Sequence, residues 1–280
     1  MGETKVIQMR NIDIHTHGIG GYDTKSGKAV DILKIAEIHG SHGISEIVLS
    51  IYPSTIKVMR ENMMTVRKAM ERQRSDTFVP PHPPLTKGGQ EGGKGGMGGL
   101  KKGRAGGITN PSLITHHPSR IIGIHLEGPF LNPTKCGALD AKTFLEPKEN
   151  QLEELLEGLE DIVKIITISP ELQGAIQLIK KVSDMGIIVS MGHSDATFSE
   201  AEAGLNAGAR GITHIFNAMR VFHHREPGIA GFGLINKDIY VEVIADPFHL
   251  HSKTLELIFK TKNPEKIIIV SDTVKETTLP

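Results

Sequence analysis

Ile12-Asp13-Ile14-His15-Thr16-His17 is a β-like run that closes on two metal-type ligands. Side chains alternate across a strand with a period of two, so His15 and His17 share one face. Short β-branched runs of the same kind recur along the chain. Glu46–Ile51, Ile121–Leu126, Val163–Ile168, Ile187–Met191, Gly211–His214, Tyr240–Ile244 and Ile267–Val270 bring the set of candidate strands to eight. Between them, Ala175, Leu178, Ile179 and Val182 follow helical spacing, as do Leu255, Ile258 and Phe259. Thr197-Phe198-Ser199-Glu200 is a capping-box pattern that starts a helix after the fifth strand. Continuous apolar strands joined by helices predict a parallel sheet covered on its faces. Eight such units predict an α/β fold, a TIM-type (β/α)8 barrel, rather than an open doubly wound sheet.

Composition leaves room for this and narrows the function. The chain has 280 residues, 38% of them hydrophobic and 23% charged, which is ample core material for one barrel spanning residues 1–280. Thirty-two basic residues balance 32 acidic ones, so no net field favours nucleic acid or anionic lipid. No apolar run is long enough to span a membrane, and Met1 to Asn11 is too polar for a secretory signal. The single cysteine, Cys136, excludes an intrachain disulfide and suits a reducing, cytoplasmic setting.

One interval departs from the rhythm. The second and third strands start about 75 residues apart, and the excess is Pro80-Pro81-His82-Pro83-Pro84 followed by Gly88 to Gly107, where 11 of 20 residues are glycine. Glycine loses the most conformational entropy on ordering, so a disordered insertion is expected at about 80–107. No Gly-x-x-x-x-Gly-Lys-Ser/Thr string supports a phosphate-cradling loop there. At the other end, eight residues follow Asp272, which leaves room for eight strands but not for an eighth helix.

Barrel chemistry collects at the C-terminal strand ends, and the candidate ligands stand there. His15 and His17 end the first strand, Glu127 follows the third, His193 the fifth, His214 the sixth and Asp272 the eighth. Imidazole plus carboxylate suits Zn²⁺ or Fe²⁺, as one or two ions. Such an ion lowers the pKa of a bound water from 15.7 to about 7. That shift of roughly nine units is about 12 kcal/mol, enough to supply hydroxide for attack on an amide at neutral pH. His39 and His42, in the first helix, and His116 and His117, before the third strand, read as surface or packing residues. His125 shares the inward face with Glu127 and reads as packing or as support for a ligand.

These strings resemble the N-acetylglucosamine-6-phosphate deacetylase family of the amidohydrolase superfamily. The resemblance is carried by Asp13-Ile-His-Thr-His-Gly18, His125-Leu-Glu-Gly-Pro-Phe-Leu-Asn132, Gly192-His-Ser-Asp-Ala-Thr197, Thr213-His-Ile-Phe-Asn-Ala-Met219, His223-His-Arg-Glu-Pro-Gly228 and Ser271-Asp272. It implies a metal-dependent hydrolase that removes the acetyl group of N-acetylglucosamine 6-phosphate, releasing glucosamine 6-phosphate and acetate. By resemblance, Glu127, His193 and His214 hold the metal common to the family, and His15 and His17 a second one bridged by Glu127. Asp272 is implied as general base and later acid, and His249 as the group that polarises the acetamide carbonyl. Asn217, Ala218 and Arg225 are implied phosphate contacts, and a homodimer is implied because part of that site can come from a neighbouring subunit.

The chain differs from the family pattern at four places. The family's small β-sandwich domain, built from both chain ends, is expected to be lacking. Leu139 stands where a sugar-contacting histidine is usual. Asp246-Pro247-Phe248-His249 replaces Asp-Gly-x-His, and Val274 to Pro280 replaces the usual continuation. An intact metal site and a partly rewritten sugar pocket are therefore expected. Two alternatives follow: a deacylase of another N-acyl sugar phosphate or cyclic amide, and a shortened, non-catalytic relative that binds metal or a sugar phosphate.

Overall fold

The computed structural model describes residues 10–75 and 117–278. The insertion expected at about 80–107 lies outside them. Strand β1 (Ile12–Thr16) is followed by a two-residue antiparallel pair, β2 (Gly18–Ile19) and β3 (Tyr22–Asp23), and helix α1 (Ala29–Ser41). Then come β4 (Glu46–Ile51), α2 (Ile56–Ser75), β5 (Arg120–Leu126), α3 (Glu149–Leu156), β6 (Val163–Ile168), α4 (Ala175–Asp184) and β7 (Ile188–Met191). The remainder is α5 (Phe198–Ala207), β8 (Gly211–Ile212), α6 (Gly228–Ile235), β9 (Tyr240–Ile244), α7 (Ser252–Thr261) and β10 (Ile267–Val270).

Eight strands form one parallel sheet in the order β1-β4-β5-β6-β7-β8-β9-β10, the TIM-type barrel expected from the sequence. Every residue of β4 is buried, as an apolar strand covered on both faces requires. Ala175, Leu178, Ile179 and Val182 on α4 face the core, and Thr197 caps α5 with a reciprocal bond from Glu200. On α7 the apolar spacing is less faithful. Only Ile258 is buried, while Leu257 and Phe259 are exposed.

Closure between the last and first strands is made by bonds around the strand ends rather than by a long ladder. Asp272 N donates to His15 O at 2.9 Å and His17 N to Thr273 O at 2.8 Å. The Thr16 and Thr273 hydroxyls meet at 2.7 Å, and Asp13 accepts from the His15 backbone N–H and from Ser271. These bonds bring the ends of β10 and β1 side by side and set Asp272 next to His15. No helix follows β10 among the described residues, and Ile269 is exposed there. None of the described helices is long and apolar enough to cross a membrane.

Candidate metal centre

Glu127 is the hub of the strand-end residues. Its Oε1 lies 3.1 Å from His193 Nε2, 3.1 Å from His214 Nε2 and 3.4 Å from His15 Nε2. Its Oε2 lies 3.1 Å from His17 Nε2. The two histidines His193 and His214 bring their Nε2 atoms to 3.1 Å of each other. Asp272 Oδ1 faces the same cluster, 3.4 Å from His15 Nε2 and 3.7 Å from His17 Nε2. All five ligand candidates are buried, and they form two overlapping trios that share Glu127.

The donors fit a divalent cation. Four-coordinate zinc with bonds of about 2.0–2.1 Å puts its ligands about 3.3 Å apart, close to the 3.1 Å separations of Glu127, His193 and His214. All four imidazoles present Nε2 to one carboxylate, which places four basic nitrogens where a positive centre would satisfy them. His15 Nε2, fully buried, has no hydrogen-bond partner. Burial opposes ionisation of Glu127, yet the imidazoles of His15, His17 and His193 around it outweigh burial and hold the carboxyl well below its usual range. Burial likewise opposes charge on His15 and His214, but the carboxylates of Asp272, Glu127 and Glu242 around His15, and of Glu127 and Asp272 beside His214, raise both. The carboxylates of Glu127 and Asp272 thus favour positive charge among these imidazoles, a charge that a divalent ion would supply.

Three of these residues sit in strained backbone. His193 (φ 48°), His214 (φ 30°) and Asp272 (φ 46°) adopt the left-handed region that side chains other than glycine's seldom occupy. At His214 this ends β8 two residues earlier than the apolar run suggests, because the chain turns out of the ladder to aim the ring inward. His193 is held from outside by the loop after β5. Its Nδ1 bonds to Lys135 O at 2.9 Å, and its carbonyl accepts from Asn132 N and Ser169 Oγ. Gly137 in that loop has φ 58°, and a Cβ there would lie 3.2 Å from the Ala218 Cβ and 3.6 Å from the His193 ring.

Below the cluster the barrel interior is polar. Ser50, His125, Thr167, Thr213 and Ser190 join in one chain of hydrogen bonds of 3.2, 2.7, 2.9 and 2.7 Å. Both ring nitrogens of His125 are therefore taken by hydroxyls, and burial together with His15 lowers its pKa well below the ordinary value. It supports His15 edge-on at 4.6 Å rather than joining the ligands. His39 is buried too, bonded to Thr16 Oγ1, and His42 is exposed.

Sequence reasoning missed two neighbours. Glu242 on β9 is buried and accepts from His15 Nδ1 at 3.0 Å. A charged residue inside the apolar run Tyr240-Val-Glu-Val-Ile244 was the available signal. Tyr52, just past β4, stacks on the His17 ring at 3.8 Å with Lys25 Nζ 3.6 Å from its own ring centre.

The remaining site candidates are not part of the cluster. Asn217 and Ala218 lie in the turn after His214, where Asn217 Nδ2 donates to the His214 and Ile215 carbonyls. Arg225 is exposed in the loop before α6, its backbone N–H bonded to His223 Nδ1. His249 makes its bonds to Asp246, ring Nδ1 to Oδ2 at 2.8 Å, instead of to the ligands. It lines a cavity of about 410 Å³ with Phe216, Phe222, Leu250 and Leu257.

No protein-family model matches the chain. A Bacillus subtilis N-acetylglucosamine-6-phosphate deacetylase is 37% identical over 158 residues, 56% of this chain and 40% of that protein. The solved N-acetylglucosamine-6-phosphate deacetylase of Thermotoga maritima superposes with a TM-score of 0.75 at 26% identity, over 96% of this chain and 60% of that one. By sequence and by fold the chain is similar to N-acetylglucosamine-6-phosphate deacetylases. A further relative, an Escherichia coli N-acetylgalactosamine-6-phosphate deacetylase, is 28% identical over 96% of this chain and 60% of its own length. The chain thus spans 40–60% of the length of these deacetylase relatives.

Proposed function

We propose that the chain hydrolyses the acetamide of N-acetylglucosamine 6-phosphate to glucosamine 6-phosphate and acetate. The observation that carries this reading is the convergence of His15, His17, Glu127, His193, His214 and Asp272 on one buried point at the mouth of the barrel. Glu127, His193 and His214 would hold one Zn or Fe ion, and His15, His17 and Glu127 a second. Held there, a divalent ion would polarise the acetyl carbonyl and bring the pKa of a water from 15.7 to about 7.

The chain's own groups move the proton. Asp272 accepts it from the attacking water as the carbon–oxygen bond forms. It then delivers the proton to the amine nitrogen as the carbon–nitrogen bond breaks, and acetate leaves. His249 would polarise the carbonyl, with Asp246 holding its Nδ1. Asn217, Ala218 and Arg225 would bind the phosphate. A homodimer is part of the proposal, supported by exposed apolar residues such as Val221, Phe222 and Phe248 near the Arg225 loop and the His249 cavity. A cytoplasmic setting accords with the single free cysteine.

A second reading keeps the chemistry and changes the sugar. The galactosamine relative aligns over 96% of this chain, and Leu139 stands in the loop after β5. Acetate release from the two 6-phosphate epimers by the metal-reconstituted protein decides between them. Protein that holds metal but frees acetate from neither would make the chain a non-catalytic binder.

A further inference from the structure

Resting on the metal reading above, we infer that Glu242 is a positioning residue that sets the ring state of His15 and thereby builds the His15/His17 metal position. For Nε2 of a neutral histidine to offer a lone pair, the proton must sit on Nδ1. The four histidines of the cluster meet this need unequally. His193 gives its Nδ1 proton to a backbone carbonyl, Lys135 O at 2.9 Å. His17 Nδ1 and His214 Nδ1 are buried without a partner. Only His15 has an anion behind it, Glu242 Oε2 at 3.0 Å.

The placement of Glu242 argues against an incidental ion pair. It sits in the middle of β9 with 3% of its surface exposed, and among the described residues its side chain has His15 as its one partner. Burying a carboxylate is tolerated only where it is paired. Its backbone carbonyl also accepts from Ile215 N at 2.9 Å, just past His214. One residue therefore braces His15 through its side chain and the turn carrying His214 through its main chain. A carboxylate accepting from the far nitrogen of a ligating imidazole also increases that ligand's basicity. The His15/His17 position should thus depend on Glu242, and the His193/His214 position should not.

Zinc titration against a chelating dye, with ¹⁵N NMR of the imidazoles of the zinc-free protein at a pH alkaline enough to keep the rings neutral, tests this. Wild type should show Nδ1–H on His15. E242L should lose that tautomer and weaken the second zinc equivalent by about 10- to 100-fold, leaving the first unchanged. E242Q, whose amide oxygen still accepts from Nδ1, should recover part of the affinity. A Glu242 that only stabilises the fold would lower the melting temperature of E242L without moving zinc affinity or the His15 tautomer, and that result overturns the inference. Should E242L not fold, E242Q decides: zinc affinity equal to wild type removes any role for the charge. Wild type that binds no zinc would instead sink the metal reading itself.

Discussion

Asp272 is the residue where backbone and chemistry can be separated by two substitutions. Its φ of 46° suits asparagine, which tolerates the left-handed region, whereas alanine there costs about 1–2 kcal/mol. Asp272→Ala should therefore lower the melting temperature by about 2–8 °C, and Asp272→Asn should leave it near wild type. The side chain is 18% exposed and stands 3.4 Å from His15 Nε2, so the amide fits the same space but cannot take a proton. Losing a general base removes about 10²- to 10⁴-fold, or roughly 3–5.5 kcal/mol of transition-state stabilisation. Glu127 and the four histidines are untouched, so metal content by elemental analysis should stay constant while acetate release falls by that factor. Asp272→Asn that keeps turnover within about threefold of wild type would refute the assignment. So would a variant that loses its metal, because Asp272 would then be holding the ion rather than moving a proton.

Chelation should destabilise the protein, since the ion binds only the folded cluster. At free zinc 100 times its dissociation constant the stabilisation is about 2.7 kcal/mol, so EDTA should lower the melting temperature by about 5–10 °C in calorimetry. Equal melting temperatures with and without EDTA would refute a cation among these histidines. Gly137→Ala forces a Cβ into a φ of 58° beside Ala218 and the His193 ring. A loss of about 1–2 kcal/mol in urea unfolding, with weaker metal binding, is expected, and an unchanged midpoint would show that the loop relaxes freely. Asp246 supplies a pH test. Burial pushes its carboxyl up, but the His249 and Phe248 N–H groups and the His249 ring outweigh burial and lower its pKa. Its contribution to stability is therefore present above the ordinary carboxylate pKa and lost as pH falls through the lowered value. Asp246→Asn should flatten the acid limb of the stability–pH curve, and an identical limb would show that Asp246 makes no such contribution.

The apolar runs were sufficient to read the barrel, because strands buried on both faces carry their signal in every residue. Four of the eight expected strands match the structure at both ends, Glu46–Ile51, Val163–Ile168, Tyr240–Ile244 and Ile267–Val270. The residues that converge at the strand ends were legible for a related reason: histidine or glutamate just after an apolar run has little structural cause to be there. What stayed hidden depends on long-range closure. The left-handed backbone at His193, His214 and Asp272 has no local signature, since glycine is absent at all three. The pairing of Glu242 with His15 spans 227 positions, and its one trace was a lone acid in a buried strand. On α7, helical spacing identified the helix but not its exposure, because spacing does not say whether a neighbour covers the stripe.

The run of hydroxyls through Ser50, His125, Thr167, Thr213 and Ser190 has a consequence for how this interior can change over time. Replacing one member with an isosteric apolar residue, Thr213→Val for instance, takes from Ser190 its side-chain partner and from Thr167 one of its two, at about 1–3 kcal/mol for a buried group left unpaired. Exchanging several members together would leave no orphan. Drift by single steps is thus blocked where coordinated steps are not, and the floor of the barrel is expected to resist gradual rewriting even while the loops above it vary.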